Sequence, residues 1–253
     1  MTENQKRIAI ITGATSGIGE ATARKFVAAG INVVGNGRNV DKLAALEQEL
    51  GDGFCGVAGD ATDGAVLDQL FEAAISVFGA EADIVVANAG RGLGGSVKDA
   101  DLSEFEDLLK INVTGTLALL QRAAQRMVKA QETGFPKQAA DILIIGSVVG
   151  KHVSPFSAVY GSSKFAVHAL AEGLRRDVGP KGVRVSLVQP GIVISGFQEI
   201  AGYSDEMVEG FHEKFDPLPT CEEIADAMVY VVNQPPHVNI SDICIRATRQ
   251  DYP

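Results

Sequence analysis

The sequence predicts a doubly wound α/β domain: a mostly seven-stranded parallel sheet with helices on both faces. Three observations carry this. Short Val/Ile-rich runs alternate with longer helical patterns along all 253 residues. Several runs, IVVAN and ILIIG among them, are apolar without interruption, as strands covered on both faces are. No linker, repeat or low-complexity stretch divides the chain, so residues 1–253 read as a single domain.

The elements follow in order. A polar start, Thr2 to Arg7, shows no charged-then-apolar signal pattern and runs directly into a strand, Ile8–Thr12. A glycine-rich turn opens the first helix, and strands Asn32–Asn36 and Phe54–Ala58 come next. Asp63 caps a helix whose apolar stripe is Val66, Leu67, Leu70, Phe71, Ala74 and Phe78. After strand Asp83–Asn88, Ser103 and Glu106 have the S-x-x-E spacing of a capping box. They open a long helix in which Asn112 keeps register with Phe105, Leu108 and Leu109, on a face that should be buried. Polar Gln131–Ala139 reads as a surface loop before strand Ile142–Gly146. A third long helix runs from about Phe156 to Val178, and strands Val183–Gln189 and Ile243–Arg246 complete the set. Such alternation implies right-handed crossovers and ligand binding at the carboxyl ends of the strands.

Bulk properties narrow the partners. A formal net charge of -10 repels nucleic acid and anionic membrane surfaces. No apolar run approaches the roughly 20 residues that span a bilayer. Cys55, Cys221 and Cys244 show no metal or redox spacing and read as reduced thiols. The expected address is cytoplasmic.

Two motifs carry chemistry. The first is Thr12-Gly13-Ala14-Thr15-Ser16-Gly17-Ile18-Gly19, between the first strand and its helix. Glycines let the backbone turn tightly and approach a pyrophosphate, and the helix start offers free N–H groups and partial positive charge. The second is Tyr160-Gly161-Ser162-Ser163-Lys164, which puts a phenol and an ammonium on one helix face, about 6 Å apart along the axis. A neighbouring ammonium favours the phenolate, so the pair reads as an acid/base couple.

The G-x-x-x-G-x-G spacing, with Ser147 placed 13 residues before Tyr160 and Asn112 earlier in the chain, resembles the short-chain dehydrogenase/reductase family. The resemblance covers essentially the whole chain and implies a Rossmann-type fold. It implies a cofactor site made of Gly13, Thr15, Ser16, Gly17, Ile18, Gly19, Arg38, Asn39, Asp60, Ala61, Asn88, Ala89, Gly90, Tyr160, Lys164, Pro190, Gly191, Val193 and Ser195. Ala87 departs from the family's N-N-A-G and Ser195 stands for its Thr. Gly37-Arg38 occupies the place where an NAD enzyme puts an acid, which indicates NADP(H). Ser16 stands where many NADP-dependent relatives carry a second base, so NAD(H) is kept as the weaker alternative.

The resemblance further implies hydride transfer between NADP(H) and an alcohol or carbonyl. Tyr160 donates the proton, Ser147 holds the carbonyl oxygen, Lys164 holds the nicotinamide ribose and shifts the Tyr160 pKa, and Asn112 anchors a relay water. Ser147, Val149, His152, Phe156, Tyr160 and Phe197 are the candidate substrate pocket, with Val148 and Leu93 as further walls. Residues 196–219 form its lid, with Ile200, Tyr203, Met207 and Phe211. Arg91 and His152 stand near enough to meet a polar or anionic substrate. The C-terminal strand resembles that of relatives acting on a small polar hydroxy acid, hydroxy aldehyde or polyol. A hydrophobic ketone or cyclic alcohol is the alternative, and a non-catalytic NADP-sensing protein is the alternative of another class. No metal is expected, and the family implies a homotetramer.

Overall fold

The computed structural model describes residues 6–252. The polar start read from Thr2 lies, through Gln5, outside the described residues. Seven strands form one all-parallel sheet in the order β3-β2-β1-β4-β5-β6-β7. They are β1 (Ile8–Ile11), β2 (Asn32–Gly37), β3 (Phe54–Ala58), β4 (Ile84–Ala87), β5 (Asp141–Ile145), β6 (Arg184–Pro190) and β7 (Asp242–Ile245). Each lies within a residue or so of its predicted span.

The helices are α1 (Gly17–Ala28), α2 (Val40–Leu50), α3 (Gly64–Phe78), α4 (Leu102–Leu109), α5 (Thr116–Gly134), α6 (Ala158–Val178), α7 (Phe197–Ile200), α8 (Asp205–Phe215) and α9 (Cys221–Val232). Residues alternate across the sheet, so each uninterrupted apolar run feeds two cores. Ile8, Ile10, Val85, Ile142 and Ile144 pack on α3, α5 and α6. Ala9, Ile11, Ile84, Val86, Leu143 and Ile145 pack on α1, α2 and α9.

Three local expectations are corrected. Asp101, not Ser103, caps α4: its carboxylate accepts from the N–H groups of Ser103 at 2.8 Å and Glu104 at 3.3 Å. An ionised acceptor two residues earlier outcompetes a hydroxyl, and the Ser103 hydroxyl itself donates to Asp101. A capping box does form, at Thr220 and Glu223 of α9. The long helix of Asn112 is two helices joined by a π-helical stretch, Lys110–Gly115. Finally, α5 continues to Gly134 with Gln131 buried, so the loop before β5 starts later than Gln131.

The lower edge of the sheet is closed by charge. Arg184 and Asp141, both nearly inaccessible, pair at 2.7 Å, and Arg7 bridges Asp141 at 2.6 Å and Asp83 at 2.9 Å. Arg184 also donates to the carbonyls of Val232, Gln234, Pro235 and Val238, which anchors the end of α9. The upper edge, where β1, β4, β5 and β6 end, is left for the site. It includes the place where strand order reverses, between β1 and β4.

Candidate active site

A crevice of about 1350 Å³ opens over those strand ends. Drug-sized ligands occupy pockets of about 300–1,000 Å³, so this one has room for a dinucleotide and a second molecule. An adjoining groove of about 900 Å³ shares Gly17, Ser195 and Gly196 with it and carries none of the four candidate catalytic residues.

The glycine loop forms one wall. Gly13 and Gly17 take φ of +68° and +54°, a left-handed backbone that glycine alone adopts freely. A Cβ on Gly19 would collide with the Gly13 carbonyl and the Asn88 amide. Ser16 precedes α1 in an extended conformation and its side chain makes no capping bond, which leaves first-turn amides for an external acceptor. Asn88 ties the loop to β4, its Nδ2 donating to the carbonyls of Thr12 at 2.9 Å and Gly13 at 3.2 Å. This backbone suits a dinucleotide pyrophosphate: glycines where it must pass closely, and N–H donors at a helix start.

Of the residues expected to hold the cofactor, Gly13, Ser16, Gly17, Ile18, Asn88, Ala89, Gly90, Tyr160, Lys164, Pro190, Gly191, Val193 and Ser195 line the crevice. Thr15, Gly19, Arg38, Asn39, Asp60 and Ala61 are not part of the lining. Gly37 has a structural cause: a Cβ there would collide with Thr15. Arg38 is exposed just past β2 and lies close enough to Asp60 to help hold that carboxyl below its ordinary range, after the hydrogen bond from Thr62. Asn39 caps α2 by accepting from the Lys42 N–H at 2.9 Å. Lys42 itself lines the crevice and was not singled out in the sequence, because it lies one turn inside a helix with an exposed, charged face.

The candidate catalytic residues converge. Tyr160 and Lys164 share the crevice face of α6, and Ser147, just past β5, lines the same crevice close to Tyr160. The Tyr160 ring keeps part of its surface open to the crevice, yet protein surrounds it closely. Burial pushes the phenol up, Tyr203 adds to this, and the Ser147 hydroxyl nearby opposes it. The expected lowering by Lys164 is not seen. Its Nζ stands 5.8 Å from the ring centroid and donates to the Ile145 carbonyl at 2.8 Å. Burial brings Lys164 down to about 8.

Asn112 is almost inaccessible, in the π-helical stretch. Its Oδ1 accepts from the Arg91 N–H at 2.9 Å, and its Nδ2 donates to the Arg91 carbonyl at 2.9 Å and Ser163 Oγ at 3.1 Å. Both amide hydrogens are thus committed within the protein, to the loop after β4 and to α6.

Among the substrate residues, Ser147, Val148, Val149, Phe156, Tyr160 and Phe197 line the crevice. His152 does not: it follows the Val148–Gly150 turn with its side chain exposed, and Leu93 also lies outside the lining. Arg91 lines the crevice with its guanidinium paired to Glu104. Ile200, Tyr203, Met207, Phe211 and Phe215 line it from α7, α8 and their connection. Tyr252, near the C-terminus, joins them and was missed, having no pattern around it.

A further missed residue is His168. It sits one turn beyond Lys164 and its Nε2 accepts the Ser147 N–H at 3.3 Å. Glycines at 146 and 150 make the space, since a Cβ at either would run into this ring. Burial, with Lys164 and Lys151 nearby, holds its pKa down at about 4.

No helix among the described residues is long and apolar enough to cross a membrane. The family model described as short chain dehydrogenase matches residues 7–202. An uncharacterized oxidoreductase of Staphylococcus epidermidis is 33% identical, over 97% of this chain and 99% of its own. The serine 3-dehydrogenase of Agrobacterium fabrum is 32% identical, over 96% and 94%. The closed form of serine dehydrogenase complexed with NADP+ superposes with a TM-score of 0.87 at 28% identity, over 97% and 96%. Matches of that extent, on a sheet and crevice that agree with them, make this chain an oxidoreductase of the short-chain dehydrogenase family.

Proposed function

We propose that the chain interconverts a carbonyl and an alcohol with NADP(H) as the preferred cofactor and Asn112, Ser147, Tyr160 and Lys164 as its catalytic set. One observation carries the reading: Ser147, Tyr160 and Lys164 gather on the crevice that the glycine loop also lines. The nicotinamide, when bound, carries the hydride. The Tyr160 phenol stays protonated at neutral pH, so it can give its proton to the oxygen that gains charge during reduction. Ser147 supplies a fixed hydroxyl to the same oxygen. Lys164, at about 8, holds and releases a proton near neutral pH and is the group assigned here to return one to Tyr160. Asn112 keeps the loop after β4 in register with α6.

Preference for NADP(H) is supported by two cations, Arg38 just past β2 and Lys42 on the crevice lining, and by a glycine where an acid would collide with Thr15. A superposable relative complexed with NADP+ agrees. Segment 196–219 suits a lid, because α8 buries none of its residues and turns Met207, Phe211 and Phe215 to the crevice. The homotetramer is supported by Leu117 on α5 and Phe165 on α6, apolar and about half exposed. Sedimentation giving a monomer at micromolar concentration would count against it.

The test of the whole reading is a panel of carbonyls and alcohols followed at the nicotinamide absorbance, with NADPH and NADH in parallel. Turnover with NADPH, weaker with NADH, is expected. A binding protein without catalysis would show cofactor affinity and no absorbance change.

A further inference from the structure

The substrate end of the crevice is walled by rings. Phe156, just before α6, meets Tyr203 edge-on with centroids 5.5 Å apart, and Tyr203 lies 6.0 Å from Phe211 on α8. Phe197 meets Tyr160 itself at 5.5 Å. The rings of Phe156 and Phe197 are seated by glycines. A Cβ on Gly92 would lie 2.5 Å from Phe197 Cζ, and one on Gly94 would lie 2.8 Å from Phe156 Cζ. The Gly94 N–H donates to the Ala201 carbonyl and the Gly95 N–H to that of Phe156, tying both ring-bearing segments to the loop after β4. The stretch GRGLGG therefore keys two rings into the wall, and they keep open surface there.

Charge on this wall does not suit a carboxylate. Arg91 is paired through Nη2 with Glu104, which offsets its charge, and the Lys164 ammonium is drawn to the Ile145 carbonyl at the back of the site. The lid side presents Glu199 and Glu206 against Lys214 alone. A small hydroxy acid would set its own negative charge among these groups, whereas a ring would replace water over half-exposed aromatic faces. Tyr203 adds one polar handle. It lines the crevice, and its hydroxyl bonds no protein group among the described residues.

We propose that the substrate is a ketone or secondary alcohol bearing an aromatic or alicyclic ring, seated among Phe156, Phe197, Tyr203 and Phe211, with the Tyr203 hydroxyl bonding a polar substituent on that ring. This rests on the carbonyl–alcohol reading above. It selects the ring-bearing class over the small polar hydroxy acid.

The experiment uses the full chain with saturating NADPH and three probes: acetophenone, its ring-hydroxylated analogue, and 3-oxobutanoate. The expected kcat/KM is about 100-fold higher for the aryl ketones than for the oxo acid. Phe156→Ala should raise KM for both aryl ketones about tenfold, against a clearly smaller change for the oxo acid. Tyr203→Phe should lower kcat/KM about tenfold for the hydroxylated ketone only. A preference for the oxo acid would overturn the ring inference and leave the reductase reading standing. Absence of turnover with every carbonyl would overturn the reductase reading instead. Calorimetry with the aryl ketone and the NADP+-loaded protein then judges the ring site alone: saturable binding weakened by Phe156→Ala supports it, and no binding overturns it.

Discussion

The backbone N–H of Ser147 donates to Nε2 of His168 at 3.3 Å, so the loop holding the candidate catalytic serine hangs on the helix that carries Tyr160 and Lys164. The bond requires a neutral ring protonated on Nδ1, and burial with Lys164 and Lys151 nearby keeps the ring neutral at neutral pH. His168→Leu fills similar space and removes the acceptor. It is expected to lower kcat about tenfold with the KM for NADPH unchanged. His168→Gln, whose side-chain oxygen can accept the same N–H, should recover most of the rate. Equal loss in both variants would point to packing alone.

In the proposed reading, cofactor choice rests on Arg38, just past β2, and Lys42 of the crevice lining. Arg38→Ala and Lys42→Ala are each expected to raise the KM for NADPH about tenfold, the worth of one charge-assisted phosphate bond, and to leave NADH unaffected. Steady-state kinetics with both cofactors reads this. Parallel loss with NADH would show that these cations do not meet a 2′-phosphate.

Lys164 is buried as a cation, and that costs stability. Its folded pKa of about 8 lies below its ordinary 10.5, so at neutral pH the charged form destabilises the fold by about 3 kcal/mol. The penalty is full below about 8 and fades as pH rises towards 10.5, because in that window the folded chain has released the proton that the unfolded chain still holds. Lys164→Met should therefore be inactive yet more stable than wild type at pH 7, with the gap closing between those two values. Urea melts across that range check it, and a constant gap would contradict it.

Arg184 is the opposite case. Replacing it with Met leaves Asp141 charged and half-paired in the interior and strips a donor from four carbonyls at the end of α9. The expected loss is about 3–5 kcal/mol, read as a lower urea midpoint at constant slope. A change under 1 kcal/mol would mean that Arg7 alone satisfies Asp141.

The sheet was legible because its signal is local and redundant: two buried faces write continuous apolar runs, and the seven strands lie where those runs lie. The Tyr160, Lys164 and Ser147 arrangement was legible because helix periodicity and strand ends fix where side chains point. What escaped depends on partners distant in sequence. The π-helical stretch at Asn112 accompanies bonds to Arg91 and Ser163, which no local pattern announces. His168 was hidden because its role is written in the glycines at 146 and 150, which read separately as turns. The lowered Tyr160 pKa was misjudged because spacing shows that a lysine is near, and not that its ammonium is already held by Ile145. Ser103 was mistaken for a cap because an S-x-x-E spacing is weaker than an aspartate two residues earlier.

The proton carried by the phenol of residue 160 is the point on which the chemistry turns. The direct measurement is single-turnover reduction of a carbonyl by Tyr160→Phe loaded with NADPH, with cofactor affinity measured beside it. The account predicts a fall of about 10³-fold in rate with NADPH binding retained. A variant reducing its substrate at close to the wild-type rate would contradict it.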